Sequence, residues 1–584
     1  MHSRLFPAHA CRSAIFLLAS LAMAMAAAPA ISHAQLPGEG RETENVGKPN
    51  DYTKLLASSF PAGTRVENVR VKMRDGVELA TDVFIPPGDG PFPVLFSRGY
   101  YGRLNATKGA QGTKEGGMIF IVQDCRAVYD SAGQRGRPDL VEPDFEMNDC
   151  RDALDWIAKQ PWCNGKIGMV GASGNGINPS VAALVKHPNL VMASPSISSP
   201  YPYYYWGFSN GVRRGLYSWL GHTSYNVKGG PLPTLPKYDE AKWREILAGA
   251  AEDNPTVLTC TGGWYDIATE AVLDTFAALA AKGKVFARIS PNAHAGNPAY
   301  PWPSGGRVAG AAAVPRLWDY LQGKGKIPEK SQLIYYVMGS FRDPSGPGNF
   351  FKTTDVWPVP STPTEWYLQP GGGLAKSKPA AAAGGEGTAQ SYEYDPKNPA
   401  PSLGGNYTYL AVAGPADQRP LLERKDVIHF ASAPLEEPLQ ITGKVLATLY
   451  VSADVPDTTF IVKFTDIHPD GYQMILRESA AMGRNAVELK GAAPMEKGRV
   501  YKLEMDLWST AIVLAKGHRL GVIITGSSKE AYQVHPNSFE PVQNLDNAPV
   551  AKHSIHFSAE HPSAITLPVV PVDAPPENKG APAK

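Results

Sequence analysis

The chain of 584 residues carries almost no net charge, with 56 Lys and Arg set against 55 Asp and Glu for a formal +1. It also has no basic stripe interleaved with aromatics. With neither feature there is no field to draw a phosphate backbone or an acidic membrane surface, so nucleic-acid binding is not expected. Cysteine is scarce at five residues: Cys11, Cys125, Cys150, Cys163 and Cys260. None stands in a Cys-x-x-Cys pair, which removes the usual redox motif and the common zinc ligand sets. Whether the four later thiols form one or two bridges or stay free is left open. Past the N-terminal region no stretch of about 20 apolar residues occurs, so no stable membrane anchor is expected. No phosphate-cradling glycine loop or nicotinamide fingerprint follows the first strand, and no cofactor is predicted. No metal is predicted either; His468, in Asp466-Ile-His-Pro-Asp470, reads as structural.

Arg4 and Arg12 precede the apolar run from Ser13 to Ala30, and Ser32-His33-Ala34 supplies small residues before Gln35. This pattern predicts a signal peptide over 1–34 and a periplasmic or secreted protein. The remaining chain is long enough for two or three domains. Residues 35–60 read as a polar lead-in. From 61 to 195 short apolar strands alternate with helical spacing, beginning with a two-stranded entry around Arg74-Asp75-Gly76. That rhythm predicts a mostly parallel sheet with both faces covered, whose reactive groups gather beyond the strand ends. It breaks over 196–254, where Tyr201, Tyr203, Tyr204, Tyr205 and Trp206 cluster, and resumes over 255–330, ending in a helix from Ala311 to Gln322. From 331 to 570 short strands separated by Gly, Pro and Asp turns predict an all-β sandwich, its first strand at Leu333 to Met338. Gly371 to Gly387 reads as a flexible loop, and 571–584 as a disordered tail.

The stretch Lys166-Ile-Gly-Met-Val-Gly-Ala-Ser173-Gly-Asn-Gly176 runs from an apolar strand into Gly-x-Ser and then a helix. So tight a turn lifts the serine hydroxyl beyond the sheet, as a hydrolase presents a nucleophile. The second glycine of the usual Gly-x-Ser-x-Gly comes one place late, with Asn175 in its position. A serine hydroxyl needs an imidazole to take its proton and a carboxylate to orient that imidazole. Asp266, in Thr261-Gly-Gly-Trp-Tyr-Asp266, and His294, in Ser290-Pro-Asn-Ala-His294, each follow a predicted strand. The order Ser173, Asp266, His294 is that of α/β-hydrolases.

Several stretches together resemble the family of bacterial cocaine esterases and X-prolyl dipeptidyl-peptidases (peptidase family S15, CocE/NonD). They include Met73-Arg-Asp-Gly-Val77, Gln123-Asp-Cys-Arg126, Ser131-Ala-Gly133, Pro161-Trp-Cys-Asn-Gly-Lys-Ile-Gly168, Gly171-Ala-Ser173, Gly263-Trp-Tyr-Asp266 and Gly414-Pro-Ala-Asp-Gln-Arg419. The resemblance covers most of 60–570. It implies an α/β-hydrolase domain with an inserted cap, here a short one, followed by a C-terminal all-β jelly-roll domain. It also implies Ser173 as nucleophile, His294 as general base and Asp266 as the triad acid. In the esterases of the group, a tyrosine after an early strand joins the backbone N–H behind the nucleophile in the oxyanion hole. The form Arg98-x-x-Tyr101 selects Tyr101, with Tyr100 its rival, and Gly174 N–H is the second donor. The chain departs from the family in having Gly174 where a tyrosine is usual, and Ala127 where a glycine is.

Candidate pocket residues are Tyr100, Tyr204, Tyr205, Trp206, Trp264 and Tyr265, whose ring faces suit an uncharged or aromatic acyl group. A peptidase or amino-ester hydrolase would instead need acids for a free amine, for which Glu142 and Glu270 are candidates. The expected activity is a serine carboxylesterase acting on a small-molecule ester or short peptide. The alternatives are an X-prolyl dipeptidyl-peptidase or amide acylase, and an inactive binding protein using its β-sandwich. Oligomeric state stays open.

Overall fold

The computed structural model describes residues 50–106, 117–133, 143–198, 200, 206–215, 240–294, 299–303, 315–380, 388–406, 413–491, 493–539 and 545–573. The predicted signal peptide, most of the lead-in, Tyr204, Tyr205, Glu142, most of the expected cap and residues 574–584 lie outside them.

The turn Arg74-Asp75-Gly76, with Gly76 at φ +88°, folds β1 (Arg65–Lys72) antiparallel onto β2 (Glu78–Ile85). Next come β3 (Phe92–Gly99), β4 (Ile119–Asp124), β5 (Cys163–Ala172), β6 (Leu190–Ser196), a small hairpin of β7 (Phe208–Ser209) and β8 (Val212–Arg213), β9 (Val257–Tyr265), β10 (Lys284–Ala293), β11 (Gln332–Val337) and β12 (Phe350–Thr354). All but the hairpin join one ten-stranded sheet in the order β1-β2-β4-β3-β5-β6-β9-β10-β11-β12. From β4 to β11 its neighbours run parallel.

Period-2 alternation divides the apolar runs between two faces. Val94, Phe96, Ile119 and Ile121 pack with Leu154 and Ile157 of the helix Pro143–Ala158. Leu95, Phe120 and Val122 pack on the other face with Leu317 and Leu321 of the helix Leu317–Leu321. β3 has β4 on one side and β5 on the other, so the loops after β3 and β5 open side by side at the sheet's carboxyl edge. That is where an open parallel sheet places its ligands.

The second domain comprises β13 (Thr362–Gln369), β14 (Gly373–Ala375), β15 (Ala389–Tyr394), β16 (Val427–Ser432), β17 (Leu439–Ala453), β18 (Thr459–Ile467), β19 (Gln473–Met482), β20 (Tyr501–Leu514), β21 (Arg519–Thr525), β22 (Ala551–His556) and β23 (Ala564–Val570). They follow the order β15-β22-β17-β23-β13-β14-β16-β21-β18-β19, with β20 on β17. All pairings are antiparallel except β14 with β16. This is the all-β domain expected after the α/β-hydrolase domain.

Two expectations are corrected. β11 is not the first strand of the sandwich: it pairs parallel with β10, Ile289 opposite Tyr335, so the sheets change between Thr354 and Thr362. A short buried apolar run reads alike in either sheet, and its partner is not written in it. Part of the Gly371–Gly387 loop is ordered, since β14 returns antiparallel onto β13. Of the helix expected from Ala311 to Gln322, Leu317–Leu321 is helical, Arg316 is extended, and residues 311–314 lie outside the described residues. The question left open for the four later cysteines is answered too: no disulfide joins them.

Candidate active site

β5 ends at Ala172, and Ser173 takes φ +54° before the turn passes into the helix Ile177–Ala182. Such a conformation costs an L-residue on the order of 1–2 kcal/mol and is held here by tight packing of the turn. A Cβ on Gly171 would lie 2.2 Å from the Asn175 carbonyl oxygen, and one on Gly176 2.6 Å from Ser198 Cβ. The glycine that comes late in the sequence is therefore required where it stands. Asn175 serves another purpose, since its Oδ1 accepts the Tyr100 N–H at 2.9 Å and ties the serine turn to the loop after β3. The Ser198 hydroxyl donates to the Ser173 carbonyl at 2.8 Å. Sequence reasoning singles out neither Asn175 nor Ser198 for these roles; the one signal is an asparagine in a glycine's place.

The loops after β9 and β10 bring the other two residues to this turn. His294 Nε2 lies 2.8 Å from Ser173 Oγ, and His294 Nδ1 lies 3.0 Å from Asp266 Oδ1. Asp266 is fully buried, and the same Oδ1 accepts the Ala268 N–H at 2.8 Å. An Nδ1–H donated to the carboxylate leaves Nε2 with its lone pair toward the serine, the tautomer a general base needs. Burial of the imidazole works against its protonation, but the charge and hydrogen bond of Asp266 outweigh it, so the His294 pKa lies above the usual 6.5. Trp206 meets the imidazole edge-on, with ring centroids 6.4 Å apart.

Tyr101 and not Tyr100 reaches the serine. Tyr101 Oη lies 3.4 Å from Ser173 Oγ and accepts the Gly174 N–H at 3.0 Å. A Cβ on residue 174 would come within 2.5 Å of that hydroxyl oxygen, so the glycine makes room for it. Tyr100 turns its hydroxyl to Glu146 Oε1 at 2.7 Å. The loop is pinned from both ends by buried charge pairs. Arg98 binds Glu146 and Asp149 at 2.7 and 3.1 Å, and Arg103 binds Asp82, Asp124 and Asp130 at 2.8, 2.5 and 2.8 Å. The matched stretch Gln123-Asp-Cys-Arg126 thus helps to hold the tyrosine loop in place.

Of the pocket candidates, Tyr100 and Trp206 share an apolar cluster with Ile177, Val181, Ile267 and Ala271 beside the triad. Trp264 and Tyr265 do not line a pocket. Both are fully buried, with Trp264 Nε1 donating to the Tyr336 carbonyl at 2.6 Å and Tyr265 Oη to the Ile475 carbonyl at 2.9 Å. Lying in β9, which points into the junction of the two domains, they serve as core, something adjacency to Asp266 in sequence does not reveal. Glu270 is committed to the second domain, accepting the Ser509 N–H and hydroxyl. Among the described residues, one His/Asp group has metal-ligand atoms within 4.8 Å of one another: Asp466, His468 and His518. There Asp466 accepts from His518 Nδ1 at 2.8 Å.

Two family models match the chain: X-Pro dipeptidyl-peptidase (S15 family) over residues 75–258, and X-Pro dipeptidyl-peptidase C-terminal non-catalytic domain over 327–566. A cocaine esterase from Rhodococcus sp. is 29% identical, the match covering 86% of this chain and 98% of that protein. Among solved structures, an alpha-amino acid ester hydrolase superposes with a TM-score of 0.68 at 22% identity, covering 90% of this chain and 99% of its own. A CocE/NonD family hydrolase from Staphylococcus aureus gives 0.59 at 15% identity, over 87% and 94%. These last two establish likeness of fold. With both family models and a relative matched over nearly its whole length, the chain belongs to the S15 peptidase and CocE/NonD family of serine hydrolases.

Proposed function

We propose that the protein is a carboxylesterase in which Ser173 is the nucleophile, His294 the general base and acid, and Asp266 the group that orients His294. The observation that carries this reading is the unbroken run Ser173 Oγ–His294 Nε2 at 2.8 Å and His294 Nδ1–Asp266 Oδ1 at 3.0 Å. Nε2 takes the serine proton as Oγ attacks the ester carbonyl. The oxyanion is received by Gly174 N–H and Tyr101 O–H, donors that act where charge develops. Tyr101 Oη now occupies the Gly174 N–H, so the substrate oxygen takes that bond and the tyrosine hydrogen turns to it. The imidazolium then protonates the leaving alcohol, and a water that loses a proton to Nε2 releases the acid from the acyl-enzyme.

Ester rather than peptide substrates are favoured by the fate of the nearby acids. An amine-binding site needs a carboxylate free to pair with it; among the described residues Glu270 is taken up by Ser509 and Glu146 by Arg98 and Tyr100, while Glu142 lies outside them. The apolar wall of Trp206, Ile177, Val181 and Ile267 suits an uncharged acyl group. Similarity to a cocaine esterase points the same way. We also place the protein outside the cytoplasm, on the charged-then-apolar pattern before Gln35. A panel of p-nitrophenyl esters set against Ala-Pro-p-nitroanilide tests the substrate class. Ester kcat/KM is expected to exceed that of the anilide, whose free amino group would find no unpaired carboxylate among the described residues beside the triad. Preference for the anilide would establish the dipeptidyl-peptidase reading, and turnover of neither by folded protein would favour a binding role.

A further inference from the structure

Asp266 sits on a tight turn after β9, closed by the Asp266 N–H on the Gly263 carbonyl at 2.8 Å and by the Thr269 hydroxyl on the carbonyl of Asp266 at 2.7 Å. The turn does not hold its place within its own domain alone. The second domain grips it at successive points. Tyr265 donates its hydroxyl to the Ile475 carbonyl, and Glu270 accepts from both the N–H and the hydroxyl of Ser509. Between these, Arg477 of β19 donates Nη1 to the Trp264 carbonyl at 2.5 Å and Nε to the Ser509 carbonyl at 2.6 Å. Its guanidinium also lies over the rings of Trp264 and Tyr265, 5.6 and 5.8 Å from their centroids.

Arg477 is an unusual group to bury. It is 1% exposed, and among the described residues no carboxylate forms an ion pair with it; its described hydrogen bonds all run to carbonyl oxygens. Burial pulls its pKa down to about 10. An unpaired buried charge is costly, and packing alone would be served better by an apolar side chain. What an apolar residue, or a lysine, cannot do is hold two carbonyls from two domains in one rigid fork.

We propose that Arg477 is a positioning residue for the reaction: by clasping the Trp264 and Ser509 carbonyls together, it fixes the turn that aims Asp266 at His294. The domain whose family model is described as non-catalytic thereby sets the geometry of the triad. Tyr265 and Ser509 are the flanking points of the same clamp.

This inference rests on the triad reading above, and the experiment separates the two. Arg477→Lys, Tyr265→Phe and Ser509→Ala are compared with the parent and with Ser173→Ala for kcat, KM, melting temperature and the pH profile of ester kcat/KM. Loosening the turn by a fraction of an ångström is expected to lower kcat about 10-fold or more in Arg477→Lys and Tyr265→Phe, with KM within about twofold. The acidic limb should move to lower pH. Asp266 is what raises the His294 pKa, so a weaker hold on His294 leaves the base neutral further into acid. A lower melting temperature with the parent's kcat and acidic limb would make the contacts merely structural and overturn the proposal. Should Arg477→Lys fail to fold, Tyr265→Phe decides by the same criteria, and Ser509→Ala, which keeps the backbone contacts of the clamp, is expected to show a smaller loss of kcat in the same direction. If Ser173→Ala retains turnover, the triad reading itself fails; if it is inert while the other variants keep the parent's profile, only the clamp fails.

Discussion

Residue 174, directly after the serine, is a glycine, and the geometry supplies a reason. A side chain there and the hydroxyl of Tyr101 in its present position exclude each other, because a Cβ would lie 2.5 Å from Oη. Removing one oxyanion donor typically costs on the order of 10²–10³ in kcat. Tyr101→Phe is therefore expected to lose about 100-fold in kcat on a p-nitrophenyl ester. Gly174→Ala should lose a comparable amount by pushing the tyrosine aside, and the double variant should fall little below either single one, since both remove the same donor. Steady-state kinetics on the three proteins checks this. Near-parent activity in Gly174→Ala would show that Tyr101 does not act from where it stands.

Among the elements, the turn after β4 places a residue with a side chain where glycine would be unstrained. Ala127 adopts φ +55°, the left-handed region that glycine enters freely. The strain is roughly 1–2 kcal/mol, against about 0.5–1 kcal/mol of extra chain entropy lost by a glycine on folding. Ala127→Gly is thus expected to stabilise by about 0.5–1 kcal/mol, read as a higher midpoint in thermal or urea unfolding; an unchanged or lower midpoint contradicts the argument. The elements themselves are largely legible in the sequence. Runs such as Pro93 to Ser97 and Ile167 to Val170 are short and almost wholly apolar, the composition of strands covered on both faces. Partnership is not legible: β11 reads as a sandwich strand and pairs with β10, because nothing in a six-residue apolar run names its neighbour. β14 is hidden inside a stretch rich in alanine and glycine, where pairing with β13 and not propensity makes the strand.

Across the whole molecule, one apolar cluster runs from Phe276 and Ile289 through Tyr336 to Phe460 and Leu503, so the two domains share a core. This continuity divides what can be read in advance from what cannot. Ser173, Asp266 and His294 are legible because the chemistry demands three residue types, each just after a strand, in a known order. Tyr101 follows from the resemblance. Trp264 and Tyr265 read as pocket residues and prove to be core, and Arg477 carries no local signal at all, because their contacts span the domain junction; Arg477 meets Trp264 across 213 positions of sequence. Local pattern carries no trace of such a pairing.

The central claim is that an acyl group passes through the oxygen of Ser173, and the direct measurement is mass spectrometry of protein quenched in acid during turnover of p-nitrophenyl acetate. An acetyl group is expected on the peptide that contains Ser173, absent in Ser173→Ala and accumulating in His294→Ala only at a greatly reduced rate. Full-speed hydrolysis with no acyl-enzyme on that peptide in either a steady-state or a rapid-quench sample, or with the acyl group on another residue, would contradict the account.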